Sequence, residues 1–335
     1  MNHNVQTLPQ LLHVGIIVPL YNEAVGVQEF HKRLCAVLDR LPYQFNIWYV
    51  DDGSEDQTGA IVTNISAHDS RVTLLQLSRN FGHQIALTAG LDHADGDVVI
   101  TMDGDGQHPP ELIPQLLELY EQGYEIVFTQ RIEAAGASLF KRLTSKGFYW
   151  LINRLSETEV LFDSADFRLM SRDVVLGLRQ IREYHRFIRG LVIWMGYRRA
   201  VVRFEPDQRI AGTTKYSVRK MLNLASNAVF SFSTLPLKLA ILLGFVLVLL
   251  AVAEGVYTLY FFISGQRSLL VPGWASLMFA LLGIGGVQLI MLGVIGQYIG
   301  LIFQEVKHRP LYLLRGQASA RQQIEAEEAL HERTA

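Results

Sequence analysis

Residues 97–110 read DVVITMDGDGQHPP, a mostly apolar run that ends in two aspartates, each followed by a glycine. The apolar run predicts a buried strand. Side chains two positions apart in an extended chain point to the same side, so Asp103 and Asp105 converge at the end of this strand. Unpaired buried carboxylates are costly, which indicates that a cation or a ligand neutralises the pair. The segment therefore predicts a strand and, at its end, a ligand site.

The chain on both sides of this segment alternates between short apolar runs and helical periodicity. The predicted strands cover residues 14–20, 46–50, 72–77, 97–102 and 125–130. The predicted helices cover residues 25–41 and 111–123. Strands rich in valine and isoleucine that are separated by helices indicate a mostly parallel sheet with both faces covered. This part of the chain is therefore predicted to be an α/β domain.

The overall composition limits the classes of partner and the compartment. The 335 residues carry a formal net charge of −2, which gives no basic surface for nucleic acid. The one cysteine, Cys35, excludes an internal disulfide and suits a reducing compartment. The first ten residues lack the basic start and apolar run of a secretory signal. The amino-terminal part is therefore expected in the cytoplasm, without a nucleic-acid partner.

Two long apolar segments follow residue 233 and account for the positive mean hydropathy of +0.19. They cover residues 235–263 and 274–303, and each exceeds the roughly 20 residues that a helix needs to cross a bilayer. Lysine and arginine flank the pair on both outer sides, whereas the short turn between them holds only Arg267. Positive residues favour the cytoplasmic side, so the pattern predicts a multi-pass protein of the inner (cell) membrane with two transmembrane helices and cytoplasmic flanks.

Three further features concern this membrane region. Residues 217–232 combine an apolar helical face with a basic start, which predicts an interfacial helix; an ordinary helix packed on the domain is the alternative. Glu254 is predicted to lie near an interface or to face the other helix. Glycines 293, 296 and 300 allow close helix packing, either within the chain or in a homodimer or homotetramer. The predicted domains are a cytoplasmic domain (1–216), the interfacial helix (217–232), the transmembrane region (233–304) and a cytoplasmic tail (305–335).

Polar clusters also follow the first two predicted strands, which end in VPLYNEA (18–24) and VDDGSEDQT (50–58). The carboxyl ends of parallel strands meet at one edge of a sheet, where ligands bind. Tyr21 offers an aromatic face to a base, and Glu23, Asp51 and Asp52 can accept hydrogen bonds from a base or a ribose. The chain has neither the G-x-G-x-x-G of dinucleotide-binding proteins nor a Walker A sequence, which excludes those two classes of site.

The paired aspartates have the ligand chemistry of a hard divalent cation. Carboxylate and amide oxygens suit Mg²⁺ or Mn²⁺, which commonly bridge a protein to phosphates. Asp103 and Asp105 could supply two such ligands, and Gln107 could add a neutral oxygen. A surface turn with two aspartates is the alternative explanation of this motif taken alone. Gly104 and Gly106 let the backbone approach a ligand closely.

Six motifs together resemble those of the family 2 glycosyltransferases that load a sugar onto a polyprenyl phosphate. They read VPLYNE, VDDGSEDQT, SRNFGHQIALTAGLDHADGD, MDGDGQHPPELIP, DFRLMSR and GTTKYS, and the resemblance covers nearly the whole chain. The group includes dolichyl-phosphate mannose synthases, undecaprenyl-phosphate glucosyltransferases and aminoarabinose transferases. It implies a nucleotide-sugar-binding domain of the GT-A type. Where that family usually has alanine and leucine this chain has Gly104 and Gly106, and lost packing at Gly106 predicts a looser loop.

The resemblance also implies roles for individual residues. The nucleoside would be held by Pro19, Tyr21, Glu23 and Asp52, with Asp51, Asp103 and Gly104 nearby. The acceptor phosphate would be held by Arg131, Lys141 and Ser145. The donor phosphates would be held by Arg209 and Lys215 in a mobile loop. Asp166 lines the site and either orients the sugar or pairs with Arg168.

Two other sets of residues have sequence contexts that suggest a role. Arg186, Arg189 and Trp194 resemble part of the Q-x-x-R-W region of processive polysaccharide synthases, and their segment is predicted to be a helix that covers the site. His83 and His185 lack partners at metal-ligand spacing and are interpreted as structural.

The predicted reaction is the inverting transfer of glucose from UDP-glucose to undecaprenyl phosphate, for the cell envelope, at the cytoplasmic membrane face. An acceptor phosphate is already anionic, so the chemistry requires positioning and stabilisation of the leaving group more than a general base. GDP-mannose, UDP-aminoarabinose and UDP-N-acetylhexosamine stay open as donors. A processive synthase needs more than two spans. A non-catalytic membrane scaffold is the remaining alternative, against which the intact Asp103, Asp105, Arg131 and Lys215 argue.

Overall fold

The computed structural model describes residues 12–132, 164–184, 186–205, 235–264 and 273–315. These residues fall into two units. An α/β unit contains the described residues up to 205 together with residues 309–315, and a helical unit contains residues 235–308.

The described part of the α/β unit contains seven strands and six α-helices. The strands are β1 (His13–Leu20), β2 (Gln44–Asp51), β3 (Val72–Gln76), β4 (Val98–Thr101), β5 (Ile126–Arg131), β6 (Ser164–Ser171) and β7 (Arg199–Phe204). The helices are α1 (Val27–Leu38), α2 (Thr58–His68), α3 (His83–His93), α4 (Ile113–Glu121), α5 (Arg172–Gln180) and α6 (Ile188–Trp194). A short 3-10 helix, Pro110–Leu112, precedes α4.

The seven described strands form one sheet in the order β3-β2-β1-β4-β6-β5-β7. Strand β1 is parallel to β2 and β4, β2 is parallel to β3, and β5 is parallel to β7. Only β6, among these strands, runs antiparallel to its neighbours. The predicted α/β domain with a mostly parallel sheet is confirmed. The winding reverses between β1 and β4, which is where open sheets of this kind bind ligands.

Both faces of the sheet are covered, which explains why the strands read as continuous apolar runs. All seven residues from Val14 to Leu20 of β1 are buried. Ile16 belongs to the core on the α1 side, together with Phe30, and Ile17 belongs to the core on the α3 side, together with Leu87. Full burial of each such side chain stabilises the fold by about 1.5–3 kcal/mol.

Helix α3 is absent from the sequence-based prediction for a physical reason. Its residues from Ala86 to Leu91 are all buried, so the helix lacks the polar face that would create a helical period. It lies so close to β1 that a Cβ atom on Gly90 would be 2.3 Å from Cγ2 of Ile17. Helix α6, in contrast, confirms the helix predicted around Arg189.

The edge of β3 is covered by residues 313–315. Leu314 forms an antiparallel bridge with Leu77. The amide of Arg315 donates to the carbonyl of Gln76 at 2.7 Å. Residues 309–315 are the part of the predicted cytoplasmic tail that the structure describes within the α/β unit.

The helical unit contains α7 (Leu235–Ile263) and α8 (Trp274–Val306). Both predicted apolar segments therefore form helices. Among the described residues, the stretch Gly283–Val306 of α8 is long and apolar enough to cross a membrane. The crossing of the membrane by α7 stays a prediction, and the predicted interfacial helix at 217–232 lies outside the described residues.

Candidate active site

The polar ends of β1 and β2 come together at the carboxyl edge of the sheet, as predicted. Pro19 is buried in β1 opposite Val50 of β2, and Tyr21 directly follows β1. The amide of Glu23 donates to Oγ1 of Thr58 at 2.9 Å, which ties the loop after β1 to the start of α2. These residues therefore line the same edge, and their contacts with a nucleoside stay a prediction.

Asp51 and Asp52 are each only 3% exposed, and both carboxylates accept hydrogen bonds from the protein. Oδ1 of Asp51 accepts from the amide of Ser54 at 2.9 Å. The Asp52 carboxylate accepts from the amides of Phe81 and Gly82, at 2.7 and 2.9 Å. Burial raises the pKa of Asp52, and the two amide hydrogen bonds oppose that rise. Asp52 thus fixes the loop that leads into α3, besides any contact it makes with a nucleoside.

The loop after β4 carries the paired aspartates and has a defined conformation. The amide of Asp103 donates to Nδ1 of His108 at 2.9 Å, and the amide of Gln107 donates to Oδ1 of Asp105 at 3.0 Å. Gly106 has a φ of 82°, a conformation that glycine adopts without strain. The turn therefore favours a glycine at this position, and the looser loop stays a prediction.

Gly104 packs against the end of β1. A Cβ atom at this position would lie 2.4 Å from Cδ2 of Leu20 and 3.1 Å from Cγ1 of Val18. The absence of a side chain at Gly104 therefore lets the aspartate loop lie directly on the β1 edge of the pocket.

The Asp103 carboxylate lies between two imidazoles. Nε2 of His83 is 3.5 Å from Oδ1, and Nε2 of His108 is 3.6 Å from Oδ2. Oδ1 is buried and accepts no hydrogen bond in the described part of the chain. A buried carboxylate oxygen in this state is a hard ligand of the kind that Mg²⁺ or Mn²⁺ prefers, and Asp105 and Gln107 follow on the same loop.

His108 is fully buried and holds the aspartate loop through the hydrogen bond from the amide of Asp103. Its ring stacks on Phe167, with ring centroids 5.4 Å apart. Burial lowers the pKa of His108, so its neutral form is favoured. Nη2 of Arg131, at the end of β5, lies 3.1 Å from Nε2 of His108. Arg131, which the resemblance assigns to the acceptor phosphate, thus lies beside the aspartate loop.

Asp166 is 3% exposed and is paired on both sides by arginines. Nη2 of Arg168 donates to Oδ1. Nε and Nη2 of Arg189 donate to Oδ1 and Oδ2, at 2.9 and 2.7 Å. Burial alone would raise the pKa of Asp166, but Arg189, His83 and Arg168 hold that pKa well below its usual range. The predicted ion pair of Asp166 with Arg168 is present, and Arg189 forms a second pair with the same carboxylate. The other predicted role, orienting the sugar, stays a prediction.

His83 is the site residue that the sequence interpretation missed. It was interpreted as structural, yet its Nε2 lies 3.3 Å from Oδ2 of Asp166 as well as 3.5 Å from Asp103. Burial would lower the pKa of His83, but the hydrogen bond to Asp166 and the charges of both aspartates raise it. The signal was its position: it follows the third strand, at the edge where the other polar clusters lie.

Four predicted site residues, Lys141, Ser145, Arg209 and Lys215, lie outside the described residues. A second group of metal-ligand type, made of His31, Cys35 and Asp69, is found in the described part. Arg71 donates to both carboxylate oxygens of Asp69, at 3.0 and 2.7 Å, and its Nη2 lies 3.4 Å from Sγ of Cys35. The guanidinium of Arg71 therefore already supplies a positive charge within this cluster.

Comparison with known proteins finds a matching family model and relatives that align over most of the chain. The family model described as Glycosyl transferase family 2 matches residues 15–178. The chain is 42% identical over 303 residues to an uncharacterized glycosyltransferase, sll0501, of Synechocystis, covering 90% of this chain and 95% of that protein. It is 39% identical over 308 residues to the uncharacterized glycosyltransferase YkcC of Bacillus subtilis, covering 91% and 94%. It is 37% identical over 310 residues to the bactoprenol glucosyl transferase of Shigella phage SfV, covering 91% and 99%.

Proposed function

The chain belongs to glycosyl transferase family 2, and from that premise we propose that it transfers glucose from UDP-glucose to undecaprenyl phosphate, with inversion, at the cytoplasmic membrane face. The chain is a glycosyltransferase, because family model and relatives agree on that activity. Relatives named bactoprenol glucosyl transferase match it over most of its length, which supports glucose and a polyprenyl phosphate as the transferred sugar and the acceptor.

The proposal rests mainly on the position of the aspartate loop, which follows β4 at the point where the winding of the sheet reverses. Asp103 presents a buried oxygen that accepts no hydrogen bond from the described residues, and Asp105 and Gln107 follow on the same loop. The nucleoside candidates after β1 and β2 lie at the same edge. A nucleoside diphosphate with a bound divalent cation would use both parts of this edge. The polar residues after β1 and β2 would contact the nucleoside, and the aspartate loop would hold the cation.

Family 2 glycosyltransferases often use a divalent metal ion. Here Mg²⁺ or Mn²⁺ would be held by Asp103, Asp105 and Gln107. When bound, such an ion acts as a Lewis acid that stabilises the charge of the departing diphosphate. Arg209 and Lys215 are proposed to add positive charge on the same phosphates.

The state of Asp166 supports a phosphate as the acceptor group. A sugar hydroxyl needs a base to remove its proton, and Asp166, held by Arg168 and Arg189, is a poor proton acceptor. A phosphate oxygen is already anionic. It attacks the anomeric carbon while the bond to the β-phosphate oxygen breaks and the electron pair leaves with UDP, which inverts the configuration at that carbon.

The acceptor is proposed to reach the site from the membrane. Arg131, beside the aspartate loop, would contact its phosphate together with Lys141 and Ser145. The apolar stretch Gly283–Val306 supports membrane association. The proposal also includes a multi-pass arrangement with α7 as a second span and an interfacial helix at 217–232. It further includes contacts with membrane lipids and a homodimer or homotetramer.

The proposal is tested with the purified full-length chain in nanodiscs that contain undecaprenyl phosphate. UDP-glucose, GDP-mannose, UDP-aminoarabinose and a UDP-N-acetylhexosamine are supplied separately, and the lipid product is weighed by mass spectrometry. A glucosyl lipid formed from UDP-glucose alone is expected. Product from a different donor would overturn the choice of sugar, and product from none of them would overturn the reaction.

The assigned loop has its own control in that assay. Asp105→Asn should abolish metal-dependent product, because it removes a carboxylate ligand. Asp95→Asn changes an exposed aspartate that precedes β4, at the opposite end of the strand, and should leave the activity unchanged. Full activity of Asp105→Asn would refute the proposed cation site.

A further inference from the structure

Residues 81–84, with the sequence FGHQ, join the loop after β3 to helix α3 and have no role in the proposed reaction so far. The amides of Phe81 and Gly82 donate to the two carboxylate oxygens of Asp52, at 2.7 and 2.9 Å. Gly82 has a φ of 98°, which a residue with a side chain rarely adopts. The turn therefore fixes the first residue of α3, His83, relative to the end of β2.

The His83 ring lies between the carboxylates of Asp166 and Asp103. Its Nε2 is 3.3 Å from Oδ2 of Asp166, which Arg168 and Arg189 hold in place. The same nitrogen is 3.5 Å from Oδ1 of Asp103, the oxygen that accepts no hydrogen bond in the described residues. The His83 side chain is 40% exposed, so the ring is accessible from solvent.

Gln84 holds the start of α3 from its other side. Its Oε1 accepts from the amide of Ile188 at 3.1 Å, and its Nε2 lies 3.5 Å from Oδ2 of Asp166. The segment that carries His83 is therefore hydrogen-bonded to the residue after β2, to β6 and to α6. A ring fixed in this way can restrict the side chain of Asp103.

Resting on the proposed function, we propose that His83 is a positioning residue whose Nε2 orients the Asp103 carboxylate toward the divalent cation of the donor complex. The 3.5 Å contact of Nε2 with Oδ1 is electrostatic and is not a hydrogen bond. Side chains that support metal-binding groups in this way help to fix their orientation, and their loss typically costs about 10–100-fold in metal affinity or activity. His83 itself touches neither the cation nor the sugar in this assignment.

The direction of the effect follows from what remains around Asp103. Without the His83 ring, the carboxylate is left with His108, 3.6 Å from Oδ2. Nη2 of Arg131 lies 3.1 Å from Nε2 of that histidine. A carboxylate that is free to turn toward this permanent positive charge is a weaker ligand for a cation. Loss of His83 should therefore weaken cation binding, whereas Arg168 and Arg189 still hold Asp166 in place.

The test measures Mn²⁺ binding to the full-length protein in the presence of UDP, by the electron paramagnetic resonance signal of free Mn²⁺. The variants are His83→Ala and His83→Gln, whose amide nitrogen keeps a donor near the position of Nε2. The matched control is His68→Ala, an exposed histidine at the end of α2. Binding of UDP without metal is measured by calorimetry, and thermal midpoints verify that each variant is folded.

For His83→Ala we expect Mn²⁺ affinity to fall about ten-fold or more, with metal-free UDP binding unchanged. His83→Gln should recover most of the affinity, and His68→Ala should match the unaltered protein. Unchanged Mn²⁺ affinity of His83→Ala would overturn the proposal, as would an equal loss of metal-free UDP binding, which indicates a structural role. His83→Gln as weak as His83→Ala would also overturn it.

The readout separates this inference from the proposed function. If the unaltered protein binds Mn²⁺ with UDP but makes no glucosyl lipid, the reaction is wrong while His83 is still judged by binding. If the unaltered protein makes glucosyl lipid and His83→Ala binds Mn²⁺ normally, only the role of His83 is wrong. If the unaltered protein binds no Mn²⁺ with UDP, the role of His83 is overturned as well.

Discussion

Arg189 holds Asp166 through a two-pronged ion pair, with Nε 2.9 Å from Oδ1 and Nη2 2.7 Å from Oδ2. A lysine cannot reproduce this fork, because its ammonium is a single point of positive charge. We expect Arg189→Lys to lose one charged hydrogen bond, worth about 1–2 kcal/mol at this partly exposed site. The thermal midpoint of the protein in nanodiscs and the rate of glucosyl transfer should both fall.

The control for this prediction is Arg182→Lys. Arg182 pairs with Asp92 at 2.7 Å, but its side chain is 52% exposed. Exposed pairs contribute about 0–1 kcal/mol, so this variant should resemble the unaltered protein. Equal behaviour of the two variants would contradict the special role of the Arg189 pair.

The sequence predicts the sheet well because buried parallel strands have a simple signature. Strand β1 is buried over seven successive residues and reads as an uninterrupted apolar run. The paired aspartates stand out for the opposite reason, since carboxylates at the end of such a run are costly without a partner. Both features are local in the chain, so a single sequence contains them.

Features that depend on distant residues were beyond the sequence. The partners of Asp166 include Arg189, which is 23 positions away, and the partners of Gln84 include Ile188, 104 positions away. Helix α3 lacks a polar face, so its burial is visible only once β1 is placed against Gly90. The role of His83 follows from these tertiary contacts and from no spacing in the sequence.

A second prediction concerns Gly104 and its fit against β1. A Cβ atom there would meet Cδ2 of Leu20 at 2.4 Å, and Leu20 is 2% exposed. Gly104→Ala should therefore force a shift of Leu20 or of the aspartate loop, at about 1–3 kcal/mol. We expect a lower thermal midpoint and weaker Mn²⁺ binding in the presence of UDP.

The same contact predicts a rescue. Leu20→Val shortens the side chain that the new methyl group meets, so the double variant should be closer to the unaltered protein than Gly104→Ala is. Residues in contact give such non-additive effects. Additive losses in the double variant, measured against Leu20→Val alone, would show that the two positions do not share this space.

A third prediction uses the pH dependence of stability at Asp69. The hydrogen bond from Arg71 lowers the pKa of Asp69 from 3.8 to about 2, although burial opposes this shift. A carboxyl group whose pKa is lower in the folded protein stabilises it above the unfolded pKa, near 4, and loses that contribution as the pH falls toward 2. The difference in thermal midpoint between the unaltered protein and Asp69→Asn should therefore be largest above pH 5 and shrink below pH 4. Asp95→Asn, at an exposed position, should show no such trend, and a difference independent of pH would contradict the ion pair as its source.

The last prediction concerns the segment after α8 that covers the edge of β3. The amide of Arg315 donates to the carbonyl of Gln76, and the amide of Ser78 donates to the carbonyl of Leu313, at 2.7 and 2.8 Å. Arg315→Pro removes one of these donors, whereas Arg315→Ala removes the same side chain and keeps the amide. One such hydrogen bond is worth about 0.5–1.5 kcal/mol.

Strand β3 leads directly into the loop whose amides hold Asp52, so loosening its edge should also weaken UDP binding. Hydrogen exchange of the amides at residues 76–82 should accelerate in Arg315→Pro and stay normal in Arg315→Ala. Equal exchange in the two variants would show that the edge is held by side chains and not by the backbone pairing.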